Sequence, residues 1–316
     1  MRSVDALITQ IRLQTDTRTY TTTSGTQQQE FVQYLNDAQD RLQSVIMSRI
    51  PLCSYFDTTY TQSIVAAQQA YPISSLGDVF SHNMVRLVEF SYDSQTVNFG
   101  KVKRGFLFEL SNQQSTYPWL YDVRGSNVLL SPVPQSAVGS LRTTYPRRLD
   151  NLDVRRARVN GTPATTDIDL TSSTFGAPSA ADEALFVEGA YFCISDIDGN
   201  VMLYNGKISS YNATTDVITA AANISTYLTG SYTLANLANG YLTLGKFSTT
   251  HSKLPDESEK FLIAYTHWKI KKRESSNDSG EQGGELDSME KDVLSAVGGY
   301  VLDYYDVPIL NEEWLY

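Results

Sequence analysis

The two ends of this 316-residue chain carry apolar residues at helical spacing, and the long stretch between them does not. Val4, Leu7, Ile8 and Ile11 fall at i, i+3, i+4 and i+7, which puts them on one face of an α-helix. After a Thr-rich loop to Thr26, the residues Phe31, Tyr34, Leu35, Ala38, Leu42, Val45, Ile46 and Ile50 keep that period for about five turns. Ser24 with Gln27 has the pattern of a capping box, and Pro51, which disfavours helix for its predecessor, sets the end. Toward the other terminus Pro255-Asp256 marks a helix start, with Glu257 and Glu259 where negative charge suits the helix dipole. Leu262, Tyr265, Trp268 and Lys269 follow at helical spacing, and Lys271-Lys272-Arg273 close the segment. SSNDSGEQGG reads as a polar linker. Leu286, Met289, Val293, Leu294, Val297, Tyr300, Val301 and Tyr304 then predict a further amphipathic helix before Pro308 and the tail NEEWLY. Helical ends around strands are expected to pack together as one bundle.

From about residue 60 the pattern changes to short runs bounded by turn residues: SIVAA, QAYPIS, MVRLVEFSY, VNFGKV, GFLFEL, YPWLYDV and NVLLSPVP. Arg124-Gly125-Ser126-Asn127 reads as the turn of a hairpin joining the last two, in a compact antiparallel sheet. Beyond Tyr145-Pro146-Arg147-Arg148 the composition turns to Thr, Ala, Asn and Gly as far as Gly245. There IDL, ALFVEGAYFCIS, NVMLYNGKISSY, DVITA, SYTL and GYLTL are strand candidates, with turns at Asp198-Gly199-Asn200 and at 212–216. The expected fold is α+β: a helical bundle from the N- and C-terminal helices, a central antiparallel β region, and an inserted small β-barrel or sandwich module. The expected division is a body of residues 1–151 and 246–316 and a module of residues 152–245.

The formal net charge of −10 argues against nucleic-acid binding by phosphate neutralisation, which needs clustered cations. It is compatible with a channel through which double-stranded DNA slides. The charge is uneven: residues 1–151 hold 13 basic and 12 acidic residues, residues 255–316 hold 6 and 14. The N-terminus has no apolar core of a secretory signal, and no run of about 18 apolar residues predicts a membrane helix. Synthesis in a reducing cytoplasm is expected, so the sequons at Asn160, Asn212 and Asn223 read as chance matches.

No nucleophile elbow, phosphate-binding loop, dinucleotide fingerprint or zinc-binding helix is present, and the reading is of a protein that is no enzyme and uses no metal or cofactor. Cys53 and Cys193 lack metal-ligand spacing and read as buried thiols. His82, His251 and His267 stand far apart. Asp196, Asp198 and Asn200 imitate the opening of a calcium loop, but Val201 replaces the Gly such a loop requires, and a tight turn explains them. Glu30 and Asp37, candidates for a glycosidase pair, read as a solvated helix face.

One cationic cluster stands out: Arg147, Arg148, Arg155, Arg156 and Arg158, with Lys101, Lys103 and Arg104 upstream. It could meet DNA phosphate, an acidic partner or the acidic C-terminal helices of a neighbouring subunit, or it could be a salt-bridged hinge where the β module leaves the body. Trp314, Leu315 and Tyr316 end the chain either as an interface anchor or as a frayed terminus.

Taken in order, VDALITQIR, FVQYLNDAQDRLQSVI, QQAYPIS, the hairpin YPWLYDVRGSNVLLSPVPQ leading to TTYPRRLDNL, and KLPDESEKFLIAYTHWKIKKR resemble the head-to-tail adaptor, or connector, proteins of short-tailed bacteriophages. The resemblance covers about residues 1–150 and 246–310 and leaves out 152–245. It implies a virion protein of the neck, assembled as a ring, usually of twelve copies. It also implies binding beneath the portal protein, an extended DNA channel and attachment of tail nozzle or tail fibre proteins, with no membrane partner. It nominates the helices 26–50 and 285–304 and the tail 306–316 for assembly contacts. With the arginines, the nominated interface residues are Tyr300, Tyr304, Trp314, Leu315, Tyr316, Arg147, Arg148, Arg155 and Arg156. Two other functions remain open: a neck-associated peptidoglycan hydrolase, and a tail module binding host carbohydrate through the β insert.

Overall fold

Among the described residues four long helices form: α1, Val4–Gln14; α2, Gly25–Arg49; α3, Glu259–Glu274; and α4, Ser279–Val297. The structure is a computed structural model that describes residues 2–14, 25–51, 53–74, 78–81, 84–92, 95–101, 114–115, 118–171, 176–199, 201–228, 232–274 and 279–298. The fold is mixed α+β. The chain groups into two units, one of residues 1–45 and 149–296, the other of 46–148 and 297–316; the division falls inside α2, after Val45, and again after Arg148.

In the first unit all four apolar residues that define α1 are buried. On α2 Phe31, Leu35, Ala38 and Leu42 are buried, as the period requires. Ser24 and the side chain of Gln27 lie outside the described residues, so the expected capping box is untouched. A 3-10 turn, Asp256–Ser258, leads into α3, whose cations Lys271, Lys272 and Arg273 occupy the last turn as expected. The linker expectation is corrected: α4 already begins at Ser279, so the Gly- and Ser-rich sequence helps to form a helix whose inward residues Leu286, Val293 and Val297 are buried. Low helix propensity is a weak force and yields to that packing. Tyr300, Val301 and Tyr304 lie outside the described residues.

The same unit holds a six-stranded sheet in the order Ala157–Arg158, Tyr241–Leu244, Tyr191–Ser195, Met202–Asn212, Val217–Ala220, Asp167–Asp169, antiparallel throughout. It curls. Met202–Asn212 serves both halves across an irregularity at Ile208, and the Asn160 amide, two residues past one edge strand, donates to the Asp169 carbonyl of the other edge at 2.7 Å. Every strand feeds one core, including Ala157, Leu242, Phe192, Leu203, Ile218 and Ile168. Two strand candidates are corrected. SYTL leads into a 3-10 helix, Leu234–Leu237, where Thr233 and Asn236 cap each other, and of ALFVEGAYFCIS only Tyr191–Ser195 is a strand, after a helical turn, Ala180–Glu183, capped by Ser179. Local side-chain caps decide both.

The second unit has two four-stranded sheets. One runs Asp57–Ser63, Ser140–Pro146, Leu87–Tyr92, Gln95–Asn98, all antiparallel. The other runs Ala70–Pro72, Asn127–Ser131, Leu120–Arg124, Gly100–Lys101, with the last pair parallel. Both contribute to one core, in which Tyr71, Val128 and Leu130 join Val88, Leu141 and a stacked Phe90–Phe99 pair. The hairpin forms as read: Arg124 pairs with Asn127, and Gly125 sits at φ +58°, the conformation that the first position of this tight turn needs. SIVAA is not a strand of its own; beyond Ser63 the chain turns, with Ala67 at positive φ. GFLFEL, Lys103, Arg104 and His82 lie outside the described residues.

Candidate assembly surfaces

The helices from the two chain ends meet within the first unit. The Val4 amide donates to the Thr250 carbonyl at 2.8 Å, and Arg2 approaches Glu259 at the start of α3 at 3.4 Å. Arg12 of α1 lies 5.5 Å over the Phe31 ring of α2. From α2, Arg41 lies over Tyr265 of α3 and pairs with Glu290 of α4 at 2.6 Å. Glu30 binds Arg273 and Asp37 lies 3.7 Å from Lys269, so these two carboxylates join helices to one another. Such exposed pairs are individually weak. The buried apolar faces beneath them carry the stability.

A polar row on α2, unforeseen from the sequence, fixes where the chain re-enters this unit. Asn36, Gln39 and Gln43 stand at i, i+3 and i+7. Gln43 accepts from the Leu149 amide at 3.2 Å, Gln39 donates to the Asp150 carbonyl at 2.8 Å, and Asn36 both accepts from and donates to the Leu152 backbone, at 2.7 and 2.9 Å. Gln39 and Gln43 are buried, and Gln39 also takes a 2.6 Å bond from Ser252 Oγ. The helix thus does for residues 149–152 what a neighbouring strand would do. A buried amide costs stability unless satisfied, and these are.

The arginines of the cluster, close in sequence, fall in different units and meet different partners. In the second unit the Arg147 guanidinium lies 3.0 Å from the buried carboxylate of Asp78, which also receives Ser74 and Tyr145 hydroxyls, while the Asp78 carbonyl takes the Arg148 amide. Burial, with Asp78 alongside, pushes the Tyr145 phenol up to about 12. The Arg148 side chain is exposed and makes no ion pair among the described residues. In the first unit Arg155 lies 4.3 Å over the Tyr241 ring, and Arg158 lies 5.6 Å over it. Arg156 is buried between Asp153 and Asp182.

Other candidates are engaged internally. Cys193 is buried, takes the Ser248 amide at 3.2 Å and has its thiol pushed up to about 11 by burial. Cys53 is buried and also raised by burial. Asp196 Oδ1 accepts from the Val201 amide, closing the turn that imitates a calcium loop, and Gly199 sits there at φ +79° with its carbonyl bound by Thr250. No cluster of metal ligands occurs among the described residues. Burial lowers His251, whose Nδ1 lies 3.1 Å from the Gly199 carbonyl. His267 lines a cleft of about 690 Å³ between α1, α3 and α4, with Ile263, Leu286 and Met289. Burial lowers it too, and its Nε2 has no partner among the described residues. Trp314, Leu315 and Tyr316 lie outside the described residues. No described helix is long and apolar enough to cross a membrane.

The ion pairs and side-chain hydrogen bonds described above hold helices and strands to one another, which is a structural role. The chain belongs to the SU10 adaptor protein family, whose model matches residues 2–223, and it is thereby a phage head-to-tail adaptor of the kind its motifs resemble. The match runs through residues 152–223, so most of the stretch that the resemblance leaves out is covered by the family model. No curated protein matches the chain.

Proposed function

We propose that this adaptor assembles as a ring, of twelve copies, that binds the portal protein, extends the DNA channel and offers the platform for tail nozzle or tail fibre proteins. The family match over residues 2–223 carries the reading. The helices of both chain ends, gathered in one unit, supply a rigid body for heterologous contacts, in which one patch meets a different patch on the next copy. In this reading residues 1–151 and 246–316 are the adaptor body and residues 152–245 a β module set into it.

The proposed contacts are Tyr300, Tyr304, Trp314, Leu315 and Tyr316 of the C-terminal segment, with Arg147 and Arg148 of the second unit. Of Arg147, Arg148, Arg155 and Arg156, Arg148 is the most accessible. Arg155 and Arg156 act by shaping the surface around them. The charge of −10 would keep packaged DNA mobile in the channel by repulsion. A lumen lined with Lys and Arg would contradict that point.

Electron microscopy of the native particle, or of the protein mixed with its portal, tests the reading. A dodecameric collar below the portal is the expected result. A trimeric fibre, or a monomer that cleaves peptidoglycan, would overturn it.

A further inference from the structure

The last two turns of α3 present an aromatic and basic surface on an otherwise acidic chain. The Trp268 ring lies tilted at 47° to that of Tyr265, with centroids 5.5 Å apart, and Lys272, one turn on, lies over the Trp268 ring at 5.0 Å. Lys269 and Arg273 are answered from α2 by Asp37 and Glu30. Lys272 is exposed and meets no carboxylate among the described residues. The indole N–H of Trp268 is shut off from solvent without an acceptor there.

Helix α4 has the opposite character. It carries five acidic residues and one basic. Asp287, Ser288, Asp292 and Ser295 are all exposed; Ser288, Asp292 and Ser295 fall on the side away from buried Leu286, Val293 and Val297, and Asp287 falls at its flank. The serines are small enough to let an aromatic ring approach the helix, and the aspartates flank them.

We propose that Trp268 and Lys272 of one copy dock on the Asp287–Ser295 face of α4 in the next copy, as the repeating contact of the ring. The inference rests on the ring reading above. Charge complementarity selects a second copy: α4 supplies carboxylates to a Lys272 that meets none among the described residues, and a half-buried aromatic beside a cation is a typical interface anchor. DNA is the poorer partner, because Glu30 and Asp37 stand among the cations of this surface and would repel phosphate.

Charge reversal tests it on the full chain mixed with its portal, with ring yield read by electron microscopy and melting temperatures checked for each variant. Lys272→Glu alone, and Asp287→Lys with Asp292→Lys in one chain, should each cut ring yield by at least about tenfold, since like charges brought face to face cost an interface strongly. An equimolar mixture of the two variants should restore rings, because alternating copies then match at every contact. Variants that fold and assemble like the unmodified protein overturn the inference while leaving the ring reading intact, as does a mixture that stays unassembled. So does a Lys272→Glu protein that forms rings but loses retention of double-stranded DNA. Failure of the unmodified protein to form any ring overturns both.

Discussion

Arg156 and Asp153 face each other at 2.6 Å with each side chain only 5% exposed, and Asp182 closes the group at 3.0 Å. Burial pushes the Asp153 carboxyl up, the hydrogen bonds and charge of Arg156 work against that shift, and the Leu244 amide adds a 2.7 Å bond. Arg156→Met removes the compensating charge and should cost about 3–5 kcal/mol of unfolding free energy. Adding Asp153→Asn should recover part of the loss. Denaturant melts of the single and double variants measure both effects, and a double variant no better than the single would refute the pairing.

Gln39→Ala leaves the Asp150 carbonyl and the Ser252 hydroxyl without their partner in a buried place, at a cost of about 1–3 kcal/mol. Gln33→Ala, on the exposed side of the same helix, should stay within about 0.5 kcal/mol. Comparing their thermal unfolding separates a backbone-binding role from helix propensity, which the two substitutions change alike.

Stability should fall as the solution is acidified below the ordinary histidine value of about 6.5. Burial holds His251 and His267 below that value, helped at His267 by Lys271 and at His251 by Arg155. The unfolded chain therefore takes up protons first, and the folded state loses ground until the folded-state values are reached. The buried carboxyls Asp5 and Asp57, which burial raises, work in the other direction in their own range. The drop in melting temperature from about pH 7.5 to about pH 5.5 should accordingly be smaller in a His251→Gln, His267→Gln double variant than in the unmodified protein. Equal drops would remove the histidines from the explanation.

Cys193 should resist thiol reagents at about pH 8 until the unit opens. Its thiol is buried, sits against Asn205, Gly245 and Ser248, and is pushed up to about 11, so little thiolate forms in the folded state. Labelling followed by mass spectrometry should show modification whose rate rises with denaturant. Rapid stoichiometric labelling of native protein would contradict the structure.

The helices are legible because Val4, Leu7, Ile8 and Ile11, and Phe31 to Leu42, repeat the period of the structure they form. One edge strand of the second unit and its neighbour, Asp57–Ser63 and Ser140–Pro146, escape the same reading, although they pair along their full length from Asp57 opposite Pro146 to Ser63 opposite Ser140. Their Thr-rich sequences show little apolar alternation, and one inward position is the buried Thr143. Gln39 and Gln43 look like gaps in an apolar face until the backbone they bind is in place. The arginines from 147 to 158 look like one patch because they are close in sequence. The chain passes from one unit to the other after Arg148, and the side chains turn to different partners: Asp78, Tyr241, and the Asp153–Asp182 pair. Proximity along the chain carries no information about which carboxylate will be near.

The curl of the six-stranded sheet, with Asn160 bound to Asp169, has a consequence for the proposed ring, in which copies would stand at close quarters. Strand edges with unpaired amides invite the same edge of any neighbour, in any register. Here the two outermost segments occupy each other. At this sheet, neighbouring copies would be denied the indiscriminate backbone zipper and would have to recognise one another through side chains. That choice favours a closed assembly of fixed number over an open-ended aggregate.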